Sequence, residues 1–211
     1  MPPAASPKII LGSSSQTRRT ILKSMGYDFI VMTADIDESA IRREKPEELV
    51  MALAEAKAEA IIAKLGKNEH DYSETSPDQI ILITADQIVV HEGTIREKPR
   101  NEEEARKFIQ GYSRSPAITV GAVFVTNLSS GFKKGGVDRA EVYFHPIPEH
   151  VIDALILEGT VFYAAGGLLV EHPLVSPLVE AMVGSLDSVM GLPKDLTLSL
   201  IDEALQSTKS L

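Results

Sequence analysis

Gln79-Ile80-Ile81-Leu82-Ile83-Thr84-Ala85-Asp86-Gln87-Ile88-Val89-Val90 is the stretch that decides the fold. Ile80 to Ile83 is an unbroken apolar run, not an alternating one, and such a run marks a strand buried on both faces of a sheet. Ala85-Asp86-Gln87 interrupts it before Ile88-Val89-Val90 resumes, so the reading is a strand over 79–84 that stops at an acid. Upstream, Lys8-Ile9-Ile10-Leu11-Gly12 reads as a first buried strand. It runs into Ser13-Ser14-Ser15 and a helix from Gln16 to Met25, with a serine to cap the helix start and Gly26 to stop it. Phe29 to Met32 reads as a second strand, followed by the acids Asp35, Asp37 and Glu38.

A long helix follows Pro46, with Glu47 and Glu48 at its positive dipole end. Leu49, Val50, Leu53, Ala60 and Ile61 share one face at helical spacing, and Gly66 marks the end. The polar stretch Asn68 to Asp78 reads as an exposed connection. Downstream, Asn101 and Glu104 have capping-box spacing at the start of a third helix, with Phe108 and Ile109 facing inward. Ile118–Thr126 and Ala140–His145 read as strands, with a turn at Asn127–Gly131 and an exposed lysine-glycine tip at 133–136. Pro148 opens a helix through Leu157, and a last helix ends near Leu205. Strands mixed with helices around one main sheet give an α/β or α+β fold.

The chain has 211 residues, the size of one domain or of two small lobes sharing a core. Its 21 Lys and Arg against 30 Asp and Glu leave a net charge of −9, which argues against duplex binding but not against one small anionic ligand. The absence of cysteine excludes disulfides and thiol chemistry. No apolar run approaches the roughly 20 residues of a membrane span. No signal-peptide core opens the chain, so the expected address is cytoplasmic, with organelle import left open.

Five features could carry chemistry. Ser13-Ser14-Ser15-Gln16-Thr17-Arg18-Arg19 stands at a strand-to-helix junction, where hydroxyls, backbone N–H groups and guanidinium make a phosphate cradle. The competing reading is a plain serine cap followed by solvated arginines. Lys57 falls inside the apolar arc of the long helix, where it either snorkels to water or points into a cleft. Asp86, an acid beside a doubly buried strand, needs a partner, a metal or a catalytic task, unless it merely caps a turn. Asp35, Asp37 and Glu38 are carboxylates of the kind that hold Mg²⁺ beside a phosphate, or else a solvated cluster. Lys98-Pro99 precedes the Asn101 cap, where a lysine can reach an anion. Walker and dinucleotide-binding glycine motifs are absent.

These pieces, in this order, resemble the Maf-like family of nucleoside triphosphate pyrophosphatases, the septum-formation-inhibitor homologues. The resemblance rests on Leu11-Gly12-Ser13-Ser14-Ser15-Gln16-Thr17-Arg18-Arg19, Asp37-Glu38, Leu53-Ala54-Glu55-Ala56-Lys57-Ala58, Ala85-Asp86-Gln87, Lys98-Pro99, Ala165-Gly166 through Glu171, and Val189-Met190-Gly191-Leu192-Pro193. It covers the chain from Ile9 to about Leu205. Three departures stand out: Thr17 in place of a first arginine, Glu97 in place of a glycine, and a 111–117 segment without the usual serine-glycine-x-x-histidine.

The resemblance implies an α/β fold with a long twisted mixed sheet flanked by helices and two lobes around a central cleft, similar to inosine-triphosphate pyrophosphatases. It implies one domain over 1–211, with 1–8 and 206–211 as flexible ends. The implied reaction is hydrolysis of a nucleoside triphosphate to the monophosphate and pyrophosphate by water attack at the α-phosphorus, as nucleotide-pool cleansing. In that reading Asp86, Lys57 and Lys98 are catalytic, and Ser13, Ser15, Arg18, Gln87 and Glu171 bind substrate. Glu38 and Asp86 hold a divalent cation, Mg²⁺, Mn²⁺ or Co²⁺. Gln87 with Glu171 resembles the 7-methyl-GTP branch, with UTP and CTP as further substrates, rather than the dTTP and UTP branch. The expected partner is the nucleotide, with no nucleic acid and no membrane, and a homodimer is open. The rivals are a non-catalytic nucleotide-sensing regulator of cell division and a phosphatase that strips the terminal phosphate.

Overall fold

The computed structural model describes residues 7–67 and 79–207. The connection expected at 68–78 lies outside the described residues, as do most of the two expected flexible ends. Seven strands form one mixed sheet in the order β2-β1-β3-β5-β6-β7, with β4 paired to β3. The strands are β1 (Lys8–Gly12), β2 (Phe29–Val31), β3 (Ile80–His91), β4 (Thr94–Arg96), β5 (Ala117–Asn127), β6 (Lys133–Phe144) and β7 (Val179–Val183). The helices are α1 (Gln16–Ser24), α2 (Pro46–Lys67), α3 (Glu102–Tyr112), α4 (Glu149–Glu158), α5 (Leu186–Val189) and α6 (Lys194–Gln206). The chain divides into two compact units, one of Met1–Asp86, Ala122–Val137 and Gly191–Leu211, the other of Gln87–Gly121 and Asp138–Met190.

In the first unit β1 pairs in parallel with both β2 and β3, with Lys8 opposite Ile80 and Gly12 opposite Thr84. Ile9 to Leu11 and Ile81 to Ile83 are buried, as expected of parallel strands covered on both faces. Leu49, Val50, Leu53, Ala54, Ala58 and Ile61 form the buried side of α2. Gly66 does not stop this helix, which runs on to Lys67. Asn127 ties the unit's far ends together, its Nδ2 donating to Gln79 Oε1 and to Ala204 O, each at 2.8 Å. The second unit has its own core, built on Ile109, Val142, Ile152, Leu155 and Val161.

Strands β3, β6 and β7 differ from the sequence reading. Ala85-Asp86-Gln87 does not interrupt the central strand, and β3 runs unbroken for 12 residues, from Ile80 to His91. The acid stays in the strand, only 8% exposed, because a lysine from α2 meets it there. The lysine-glycine segment 133–136 is not a loop tip but the start of β6. Its glycines are closely packed: a Cβ on Gly135 would meet Met51, and one on Gly136 would come within 2.5 Å of Leu196 Cδ1, so either side chain would have to shift. Finally, β7 carried no strand signal. Its side chains are largely exposed, and it is defined by antiparallel pairing to β6, from Glu141 opposite Val183 to Phe144 opposite Val179.

Candidate active site

The strand–helix junction at the end of β1 is built as the sequence suggests. Ser15 is the N-cap of α1, its Oγ accepting the Arg18 N–H at 3.3 Å. Ser13, only 7% exposed, accepts the Ser15 N–H on its own Oγ at 3.2 Å. Ser15 thus fills the structural role of a cap, one of the two readings open for it.

Arg18 is not a solvated surface arginine. Its Nη1 donates to Ala85 O at 2.8 Å and its Nε to Gly191 O at 2.9 Å, with Ser13 Oγ at 3.5 Å from Nη1. Burial lowers its pKa, against the opposing pull of Asp86 and Glu38. A guanidinium nevertheless stays charged in proteins. Beside it, Arg19 has a buried Nε with no hydrogen-bond partner.

Lys57 completes the group. From the middle of α2 its Nζ pairs with Asp86 Oδ1 and, at 2.8 Å, with Glu38 Oε1. The Lys57 and Asp86 side chains are 14% and 11% exposed, whereas that of Glu38 is 49% exposed. Glu38 opens a short 3₁₀ turn of Glu38–Ala40, which Asp37 caps by accepting the Ser39 N–H at 3.0 Å. The Ser39 bonds hold the Asp37 carboxyl below its usual range. Asp37 is therefore spent on the turn that presents Glu38.

Two carboxylates thus share one ammonium in the unit that also anchors the Arg18 guanidinium. Among the described residues no group of three or more His, Asp or Glu gathers to hold a metal unaided. The pair Glu38 and Asp86 nevertheless suits a hard cation of the Mg²⁺ type, which takes one or two carboxylates and fills its other positions with water and phosphate oxygens. The common ammonium partner shows that their oxygens can converge on one positive charge.

The remaining candidates, Gln87, Lys98 and Glu171, belong to the second unit. Gln87 Nε2 donates to Ser188 O at 2.9 Å and to Val189 O at 3.1 Å. Both amide hydrogens are used, so Gln87 can offer a ligand only its carbonyl oxygen. Lys98 is exposed, between the exposed Glu97 and the buried Pro99, and Glu171 is exposed in the segment after a 3₁₀ turn at Ala165–Gly167. The Lys98 segment and that turn are fastened to each other, the Gly166 N–H donating to Glu97 O at 2.8 Å. The sequence reading missed what lies behind these segments: a buried assembly of His91, Arg96 and Tyr112.

The chain is 39% identical over 198 residues to the 7-methyl-GTP pyrophosphatase of Dictyostelium discoideum, covering 94% of this chain and 98% of that protein. It is 33% identical over 190 residues to a dTTP/UTP pyrophosphatase of Geotalea uraniireducens, covering 90% and 91% of the two chains. A HAM1 protein from Coxiella burnetii, with a TM-score of 0.34 and 10% identity over 65% of this chain and 73% of that one, is too distant to bear on the fold. The model of the family described as Maf-like protein matches residues 8–204, and the chain belongs to that family.

Proposed function

We propose that this protein hydrolyses nucleoside triphosphates to the monophosphate and pyrophosphate, with 7-methyl-GTP among its best substrates. The observation that carries the reading is Lys57 held between Glu38 and Asp86 in the unit that also anchors Arg18 over Ser13. Phosphoryl-group chemistry asks mainly for positioning and charge neutralisation, and this cluster supplies both. The names borne by the relatives point to the same class of reaction.

In this reading Asp86 is the general base that orients the attacking water. Arg18, Lys57 and Lys98 neutralise the triphosphate, while Ser13 and Ser15 line its cradle. Glu38 and Asp86 are the residues that hold a divalent cation, which when bound polarises the phosphate and activates water. Activity accordingly requires added Mg²⁺, Mn²⁺ or Co²⁺, and it is lost in excess chelator. Glu38→Gln raises the metal concentration for half-maximal rate, measured by titration at fixed nucleotide. Full turnover in chelator would exclude this role.

Base choice follows from donor counting. Glu171 can only accept hydrogen bonds, and Gln87 has only its acceptor left. Two acceptors suit the adjacent N–H and amino donors of a guanine edge, and a carboxylate also favours the positive charge that N7 methylation puts on the ring. Uracil and thymine offer one N–H between two carbonyls and fit less well. Glu171→Gln therefore lowers kcat/KM on 7-methyl-GTP by about 1.5–3 kcal/mol of transition-state binding, the usual worth of a hydrogen bond to a charged group. It costs less on UTP. A wild-type preference for dTTP, unmoved by the substitution, would show that Glu171 does not read the base.

The deciding experiment is a screen of normal and modified nucleoside triphosphates with separate detection of pyrophosphate and orthophosphate. Pyrophosphate release supports the proposal. Orthophosphate identifies a phosphatase, and binding without release identifies a sensor.

A further inference from the structure

Behind the Lys98 segment the second unit buries a connected set of polar groups. Arg96 is 9% exposed and His91 only 1%. Arg96 Nη2 lies 2.7 Å from His91 Nδ1, and its Nη1 donates to Phe108 O at 2.8 Å. A guanidinium has only donors, so His91 Nδ1 is the acceptor and the ring carries its proton on Nε2. That Nε2–H faces Gly111 O at 3.0 Å and Ser115 Oγ at 2.8 Å. Burial and the Arg96 charge both press the His91 pKa down, in keeping with a neutral ring.

Tyr112 packs on this pair, with the Arg96 guanidinium carbon 5.1 Å from its ring centre and the His91 ring edge-on at 5.3 Å. Its hydroxyl donates to Gly166 O at 2.7 Å. Burial pushes the phenol pKa up to about 12, so the hydroxyl remains a donor throughout the neutral range. Gly166 has φ +61°, and a Cβ there would lie 2.5 Å from the Tyr112 oxygen and 2.8 Å from Val89 Cβ, so the peptide is seated directly on the phenol. The same residue's N–H holds Glu97 O, and Gly167 sits against Pro99. Lys98 is thus strung between two fixed neighbours.

We propose that Tyr112, braced by Arg96 and His91, is a positioning residue that fixes Lys98 through the Gly166–Glu97 clamp. A core built for packing alone would use apolar groups here, since each buried polar group costs free energy unless fully bonded. What a bonded set adds is one defined orientation. The inference rests on the reading of Lys98 as a triphosphate contact.

The test compares wild type, Tyr112→Phe, Lys98→Ala and the double variant of the full chain, on 7-methyl-GTP and on UTP. Tyr112→Phe keeps the ring and removes only the hydroxyl. It lowers kcat/KM about 5- to 10-fold in wild type, the rate equivalent of one hydrogen bond. In the Lys98→Ala background it lowers it less than about twofold, because coupled sites are not additive. Ile152→Val, in the same core, lowers Tm but leaves kcat/KM unchanged. Amide exchange without nucleotide gives a second readout, in which Tyr112→Phe speeds exchange of the Gly166 N–H severalfold. Unchanged Gly166 exchange, or an undiminished Tyr112 effect without Lys98, overturns the proposal. If Gly166 exchange rises but Lys98→Ala has full activity, the clamp stands and it is the catalytic reading of Lys98 that fails, taking the positioning role with it.

Discussion

Asp86→Asn lowers turnover by about 10²- to 10⁴-fold, the usual cost of removing a general base, and leaves the fold in place. The second half of that expectation comes from the pairing with Lys57. An asparagine oxygen can still accept from the Lys57 ammonium, so the middle of β3 keeps its partner. The measurements are kcat from pyrophosphate release and Tm from thermal unfolding on the same preparation. Near-normal turnover would show that Asp86 only completes an ion pair. A large drop in Tm would show that its charge is needed for the strand itself.

Lys57→Met acts on both stability and rate. Methionine is a good helix former and fills the apolar side of α2, so the helix persists. Its loss of charge leaves Asp86, 8% exposed, facing Glu38 with no cation between them. Removing one partner of a buried pair costs about 3–5 kcal/mol, read by denaturant unfolding. Triphosphate turnover falls severely as well. The double variant Lys57→Met/Asp86→Asn separates the two effects: it regains much of the stability, because no buried charge is orphaned, and regains no activity. Unchanged kinetics in Lys57→Met would mean that the side chain is only structural.

What could be read from the sequence was what depends on near neighbours. The serine cap of α1, the Asn101 cap of α3 and the apolar side of α2 follow from residues a few positions apart. The wheel position of Lys57 among apolar neighbours also singled it out before any partner was known. The errors arose where a distant residue decides the outcome. Ala85-Asp86-Gln87 reads as a break because an acid in a buried strand is costly, and the compensating ammonium comes from 29 residues away. Lys133 to Gly136 reads as a loop because glycine disfavours strands, yet the Met51 and Leu196 side chains pack where a Cβ of Gly135 or Gly136 would stand. His91, Arg96 and Tyr112 share no period or motif, and only the β3–β4 pairing and the docking of α3 bring them together.

Arg18 has a consequence for how the protein is made. Its Nε is held by Gly191 O, 173 residues further along the chain, and Gly191 begins the last segment of its unit. Ser13, Glu38, Lys57 and Asp86 all leave the ribosome long before that carbonyl does. Domains tend to fold as units during synthesis, but this one cannot close until its final segment emerges. A growing chain therefore carries Arg18 without its Gly191 anchor for most of its translation, and the junction at the end of β1 is completed last, together with α6.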